Sequence, residues 1–364
     1  MKRILQVLTL LTAIFIAGIS GGYAFELNGF TDVSFTKSTE GNNRPVGDDE
    51  YRNGDFAFGT LDLYLAQTVD DIDVLVELIV EKGNVLDLER LTIGYTFSDA
   101  AKLRVGRFHT PIGFWNNAYH HGVQLQPTIE RPDFLKFEDD GGIIPTHVVG
   151  ASLSGRVNTG VGAVDYSAMI GNGPQIVVED IGFYVLSPNN IYDNNVGKAV
   201  AFNAAISPSA LEGLKLGVSG HIAEIKSNVD VPVTVAVDQA IYAFAATYAN
   251  GPLGLAAEYY TINDKDEATE DDFSNNAYYG LITYTLMEKW VPYVMYENLS
   301  VKDSVGDEDP YMAALEIGRD TEELTVGLRY NINYRSSVKG EYRNIIDEGG
   351  ADWNEVAFQW ALAF

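Results

Sequence analysis

The sequence predicts an all-β chain, a transmembrane antiparallel up-and-down β-barrel of about 16 strands. Three observations carry this. Large apolar side chains recur at every second position in one segment after another, as along Leu91, Ile93, Tyr95 and Phe97, with Arg90, Thr92, Gly94 and Thr96 between them. Successive side chains point to opposite faces of a strand, so such a segment has one greasy face and one small or polar face, which suits a strand between lipid and a wet interior. The connections between segments alternate between tight and long. Beyond residue 24 no stretch approaches the ~18 consecutive apolar residues of a spanning helix, so strands closed on themselves have to make any membrane crossing.

In chain order, Lys2-Arg3 precede the apolar stretch Ile4 to Ile19, and Gly22-Tyr23-Ala24 supplies small residues at cleavage-type spacing. Residues 1–24 therefore read as a secretory signal peptide that is removed, and 25–364 as a single barrel domain starting at Phe25. Formal net charge is −27, and losing Lys2 and Arg3 with the leader leaves −29, a balance that argues against nucleic acid as a partner. The chain has no cysteine, so it has neither a disulfide scaffold nor thiol chemistry, and its stability has to come from the closed ladder. Enrichment in Gly (35), Tyr (21) and Phe (17) fits strands with aromatic girdles.

Strands are expected near 26–36, 56–69, 72–81, 88–97, 102–108, 147–157, 161–172, 199–207, 214–224, 239–250, 253–261, 276–286, 289–299, 322–332, 336–346 and 353–364. Each has close to the ~9 to 11 residues that a tilted membrane strand needs. Seven connections are tight and mostly built from turn formers: Asp70-Asp71, Ser98-Asp99, Asn158-Thr159-Gly160, Pro208-Ser209, Asn250-Gly251-Pro252, Met287-Glu288 and Asn333-Tyr334. They alternate with eight longer or more polar ones, an asymmetry that puts turns on the periplasmic side and loops outside. Loops 37–55, 173–198, 262–275 and 300–320 are rich in Asn, Asp, Glu and Gly and are assigned to the outer side. Acidic residues such as Asp264, Asp266, Glu267, Glu270, Asp271 and Asp272 could hold divalent cations that bridge to lipopolysaccharide, although solvated charge is the ordinary account of such a loop. In the last strand, Val356, Phe358, Trp360, Leu362 and Phe364 share one face and Ala357, Gln359, Ala361 and Ala363 the other.

The connection from 109 to 146 is far longer than joining two antiparallel neighbours requires, and long connections of this kind are usually functional. Unlike the acidic loops it carries Phe114, Trp115, Tyr119, Phe134 and Phe137, which a purely solvated loop would not keep. It is expected to pack against the barrel interior, the nearest surface.

These features resemble a known family. The strand Lys102-Leu103-Arg104-Val105-Gly106-Arg107-Phe108, the long aromatic loop after it, the strand count and the terminal Phe364 resemble bacterial general and substrate-selective porins, and more loosely the phosphate-selective porin O and P group. The resemblance implies that 109–146, the third outward loop, folds into the lumen as the constriction. It also implies a homotrimer in the bacterial outer membrane, in contact with its lipid and lipopolysaccharide, and a water-filled path for passive diffusion of small hydrophilic solutes or ions. A last strand ending on Phe364 resembles the assembly signal of Gram-negative outer-membrane proteins. Phosphate-selective members have a lumen rich in Arg and Lys, whereas this chain has 24 basic residues against 51 acidic ones.

Alternation points Arg90, Lys102, Arg104, Arg329, Lys339 and Arg343 inward, on strands either side of the seam. Opposite them the inserted loop would present Glu130, Glu138, Asp139 and Asp140, giving a transverse field that sorts small polar solutes by charge and dipole. A bulge at Gly106 would reverse the parity of Arg107. His109, His120, His121 and His147 sit in or beside the loop and, with Trp115, are assigned to loop anchoring. Histidine beside carboxylate is also metal-ligand and hydrolase vocabulary, but the spacing matches no zinc motif, so no metal, cofactor or catalytic residue is assigned. The main alternative is a structural barrel that holds a periplasmic or surface partner, and a barrel hydrolase is the lesser one.

Overall fold

The computed structural model describes residues 26–38, 54–81, 85–119, 122–137, 141–180, 183–187, 197–226, 236–267, 269–302, 309–315, 317, 319–348 and 352–364. Residues 1–24, expected to be a signal peptide, lie outside them, as do His120, His121, Glu138, Asp139 and Asp140. The strands are β1 (Glu26–Ser38), β2 (Asp55–Val69), β3 (Ile72–Glu81), β4 (Val85–Ser98), β5 (Ala101–His109), β6 (His147–Thr159), β7 (Gly162–Asn172), β8 (Gln175–Asp180) and β9 (Phe183–Ser187). They continue with β10 (Lys198–Pro208), β11 (Leu214–Lys226), β12 (Ala236–Asn250), β13 (Leu253–Asp266), β14 (Asp272–Tyr284), β15 (Trp290–Ser300), β16 (Thr321–Asn333), β17 (Ser336–Asp347) and β18 (Trp353–Ala363).

β1–β7 and β10–β18 form one closed antiparallel barrel of sixteen strands, each paired with its neighbours in sequence, and β18 returns to β1. The seam is finished by the chain terminus: Gly29 and Phe364 exchange both backbone hydrogen bonds at 3.0 Å. A Cβ on Gly29 would meet the Phe364 ring, so the glycine gives the terminal ring its place.

The dyad read from the sequence is the dyad of the barrel wall. On β4, Leu91 is 44% and Ile93 56% exposed, whereas Thr92 between them is 1% exposed. On β18, Phe358, Trp360 and Leu362 are exposed, while Ala357, Gln359 and Ala361 are buried. On these strands the greasy register faces outward, as contact with lipid requires, and the small and polar register faces inward, whereas on β13–β15 the inward register also carries large buried residues, Tyr260, Tyr279, Leu281, Tyr293 and Met295. The β4–β5 ladder runs from Thr96↔Lys102 to Leu91↔Arg107 without a register shift at Gly106, yet Gly106 adopts φ +125° and Arg107 is 8% exposed where its register partner Leu91 is 44% exposed.

Several connections differ from expectation. Residues 262–275 are not a loop, because β13 continues to Asp266 and β14 begins at Asp272. Within 173–198, taken above as an outward connection without strands, β8 and β9 pair as a separate hairpin. Two single helical turns, α1 (Trp115–Ala118) and α2 (Pro310–Ala314), and a 3-10 turn at Asp133–Leu135 lie in the connections after β5 and β15. The connection expected at Met287-Glu288 closes across Leu286↔Trp290 and so spans three residues, with Met287 and Glu288 both in the left-handed region (φ 49° and 63°) without a glycine.

Candidate functional site

The connection after β5 is bonded to inward-register side chains of strands on the other side of the barrel. At its start Gly113 adopts φ +69°, and a Cβ there would strike the Tyr260 hydroxyl and the Glu258 carboxylate, so only glycine lets the chain approach the wall this closely. Its N–H donates to Ser219 Oγ on β11 at 2.9 Å. The next two N–H groups, of Phe114 and Trp115, donate to Glu258 on β13 at 2.5 and 2.8 Å. Further along, the N–H of Ile129 donates to Glu341 on β17 and that of Asp133 to Glu297 on β15, both at 2.7 Å. Three wall carboxylates on alternate strands thus hold the loop by its main chain.

Each carboxylate is supported in turn. Tyr260 and Tyr279 donate their hydroxyls to Glu258 at 2.9 and 2.8 Å, and Tyr293 donates to Glu341 at 2.9 Å. Between these polar points lies an apolar core. Ile112, Trp115, Phe134, Leu135, Ile143 and Ile144 from the loop are buried against Tyr260, Tyr279, Leu281 and Met295 from the wall. The Trp115 indole meets the Tyr279 ring edge-on at 5.4 Å, and Phe134 meets Tyr260 likewise at 5.7 Å. From the outward end, Asp309 caps α2 by accepting from the N–H groups of Tyr311 and Met312, and the Tyr311 hydroxyl donates to Ile143 O at 3.1 Å. Burial pushes the Asp309 carboxyl up, against the lowering effect of Asn275 and those two N–H groups. Burial likewise pushes the Tyr119 phenol up. Burial would lower the Lys136 ammonium, but the adjacent Asp133, with Glu130 near it, holds it above its ordinary value.

The predicted basic residues divide into groups. Arg329 donates to Gln126 O and Gln124 Oε1 at 2.9 and 3.1 Å, and Lys339, 1% exposed, donates to Val123 O and Thr128 O at 2.5 and 2.8 Å. These two cations therefore meet carbonyl oxygens of the loop. Arg90 pairs with Glu77, Arg343 with Glu355 at 2.8 Å, and Arg104 with Asp73 at 3.6 Å. Lys102 is exposed and belongs to none of the ion pairs among the described residues. Glu130 is exposed beside Ile129. At the loop's neck, His147 Nε2 lies 2.7 Å from Glu89, which Arg107 also approaches at 3.8 Å, and the His109 ring packs on His147 at 5.5 Å. Phe137 stacks on His147, and the Arg131 guanidinium lies 4.1 Å over Phe137.

Glu258, Glu297 and Glu341 escaped the sequence reading. For two of them the signal was present: Glu258 and Glu297 sit in the inward parity between uncharged residues, Ala256 and Tyr260 in one case and Met295 and Leu299 in the other, and such a carboxylate needs partners; Glu341 lies instead between the inward cations Lys339 and Arg343, which read as its partners. Among the described residues the acidic groups that converge closely enough for a cation are Glu224, Asp238 and Glu267, all exposed, and Lys226 already pairs with Glu224 and Glu267.

The loop leaves a cavity of about 640 Å³ on the opposite side. Gly113, Phe114, Asn117 and Ala118 bound it from the loop, and Lys102, Ser154, Arg156, Asp165, Ser167, Asn203, Lys215, Ser219 and Thr247 line it from β5–β7 and β10–β12. Its hydroxyl, amide and charged lining suits water and small polar solutes.

A closed sixteen-stranded antiparallel barrel, with a long connection after β5 that hydrogen-bonds to inward-register side chains, is a fold met in known outer-membrane proteins. Comparison with known proteins agrees. The family described as phosphate-selective porin O and P matches residues 226–342. Among solved structures, the loop L8 deletion form of OmpT, an outer membrane protein of Vibrio cholerae, has a TM-score of 0.63 at 12% identity, covering 94% of this chain and 99% of its own. The anion-selective porin from Comamonas acidovorans has a TM-score of 0.62 at 15% identity, with 94% and 99% covered. The trimer form of in-vitro folded Vibrio cholerae OmpT has a TM-score of 0.60 at 10% identity, with the same coverage. No curated protein matches the chain in sequence.

Proposed function

We propose that this chain is a non-enzymatic outer-membrane porin, a water-filled channel for passive diffusion of small hydrophilic solutes or ions, with 109–146 folded into the lumen as its constriction. The observation that carries the reading is one-sided attachment: the loop backbone is fixed to Glu258, Glu297 and Glu341, while the polar cavity along β5–β7 and β10–β12 is left over. In this reading Arg329 and Lys339 hold the loop, with His109, His147 and Trp115 at its base and core, whereas Lys102 and Arg104 face the solute. Removal of 1–24 on export, recognition of the strand ending at Phe364, contact with lipid and lipopolysaccharide, and assembly as a homotrimer complete it. The trimer form of OmpT, a barrel of this fold, supports the last point.

Planar-bilayer recording tests the proposal. Stable steps of open conductance are expected, and deletion of 112–142 should raise the step several-fold and relax ion discrimination. Absence of conductance from verified folded protein would favour the structural barrel that holds a partner. Unchanged conductance after the deletion would put the loop outside the path.

A further inference from the structure

The cavity carries a charge group that the loop does not use. On β6, β7 and β11, Arg156 Nη1 lies 3.3 Å and Lys215 Nζ 2.9 Å from the two carboxylate oxygens of Asp165, so one anion bridges two cations. None of the three is buried: Arg156 is 56%, Lys215 43% and Asp165 30% exposed, and all line the cavity. Stability gives little reason for the group. Solvated ion pairs contribute little to stability, and the backbone ladders of β6, β7, β10 and β11 run through this region regardless. Lys102, on β5, lines the same cavity and belongs to none of the ion pairs among the described residues.

We propose that Asp165 is a specificity-determining residue, a charge clamp that withholds Arg156 and Lys215 from passing anions and leaves Lys102 as the cavity-lining cation that, among the described residues, belongs to no ion pair. The inference rests on the channel reading above. In a narrow aqueous cavity, fixed charges at the wall outweigh distant charges, which salt screens over about 8–10 Å, so the −27 of the whole chain counts for less here than this one group. With Asp165 ionised, the Arg156, Asp165 and Lys215 group carries one net positive charge. Without it the group carries two, and both the guanidinium fork and the ammonium regain free donors for a carboxylate or phosphate oxygen.

The test is the reversal potential of protein purified from the host outer membrane, in a potassium chloride gradient at low salt, for the wild type, Asp165→Asn and Lys215→Gln. One unit charge about 10 Å from the path changes the anion-to-cation permeability ratio about fourfold in water. Asp165→Asn should therefore move the ratio towards chloride by about that factor, Lys215→Gln should move it the opposite way, and both shifts should shrink at 1 M salt. Heat-dependent mobility on denaturing gels checks that each barrel has folded. If Asp165→Asn does not fold, the sign of the Lys215→Gln shift decides alone. A ratio unmoved by either variant, or moved the same way by both, overturns the clamp and leaves the channel reading intact. A wild type that never conducts overturns both.

Discussion

Four donors converge on the carboxylate of Glu258, two from the loop backbone and two from wall tyrosines, and Glu258 itself is 2% exposed. Truncating it would strand all four. Each buried donor left unsatisfied costs about 1–3 kcal/mol, so Glu258→Ala should cost the loop's attachment about 3 kcal/mol or more. Single-channel traces of Glu258→Ala should flicker between substates, and limited proteolysis should cut within 112–118. Glu258→Gln keeps one acceptor oxygen and should be intermediate. Quiet traces in both variants would mean that the apolar core around Trp115 holds the loop unaided. At this scale the sequence told which way a side chain points but not what it meets. Lys339 and Lys102 have the same inward parity, yet one lies under loop carbonyls and the other faces open space. That difference depends on the path the loop takes across the barrel, which no strand period encodes.

The element with the clearest mechanical task is the seam. Phe364 is bonded to Gly29 through both of its backbone groups, and its ring occupies the space that a side chain at position 29 would need. Gly29→Leu should therefore hinder closure as strongly as Phe364→Ala. In refolding into detergent or lipid, each should lower the fraction of barrel that resists unfolding on an unheated gel, and Phe364→Tyr should not. The strand elements were legible because each carries its own evidence, an alternating pattern bounded by turn residues, and the ladders of β2 and β3, on either side of Asp70-Asp71, run where that pattern puts them. The β8–β9 hairpin was not. Gln-Ile-Val-Val-Glu-Asp is β-prone, but it is short and set among Asn and Asp, so composition hid it. The 267–271 connection was overestimated for the related reason that strands continuing beyond the lipid lose their apolar partners and read as loop.

For the molecule as a whole, the loop clings to β11–β17 while the cavity lies along β5–β7 and β10–β12. The cavity thus lies between strand wall on one side and loop on the other, and in the proposed channel the passage runs off the barrel axis. The barrel class was written throughout the chain, whereas this off-centre placement depends on Gly113, Glu258, Glu297 and Glu341 acting together and could not be read from any one of them. Because the chain contains no cysteine, a single introduced thiol is unambiguous. Ser154→Cys, Ser167→Cys and Asn203→Cys should react quickly with a small charged thiol reagent and reduce conductance, whereas cysteines at Tyr279 and Glu341 should stay silent. Equal labelling on all sides would mean a central hole. A solute following the predicted route does not thread a ring of equivalent groups. It slides along one surface as over a chromatographic bed, so its retention should depend on the order in which it meets the few residues of that surface, and a mutation's effect should depend on compass bearing around the barrel as much as on depth.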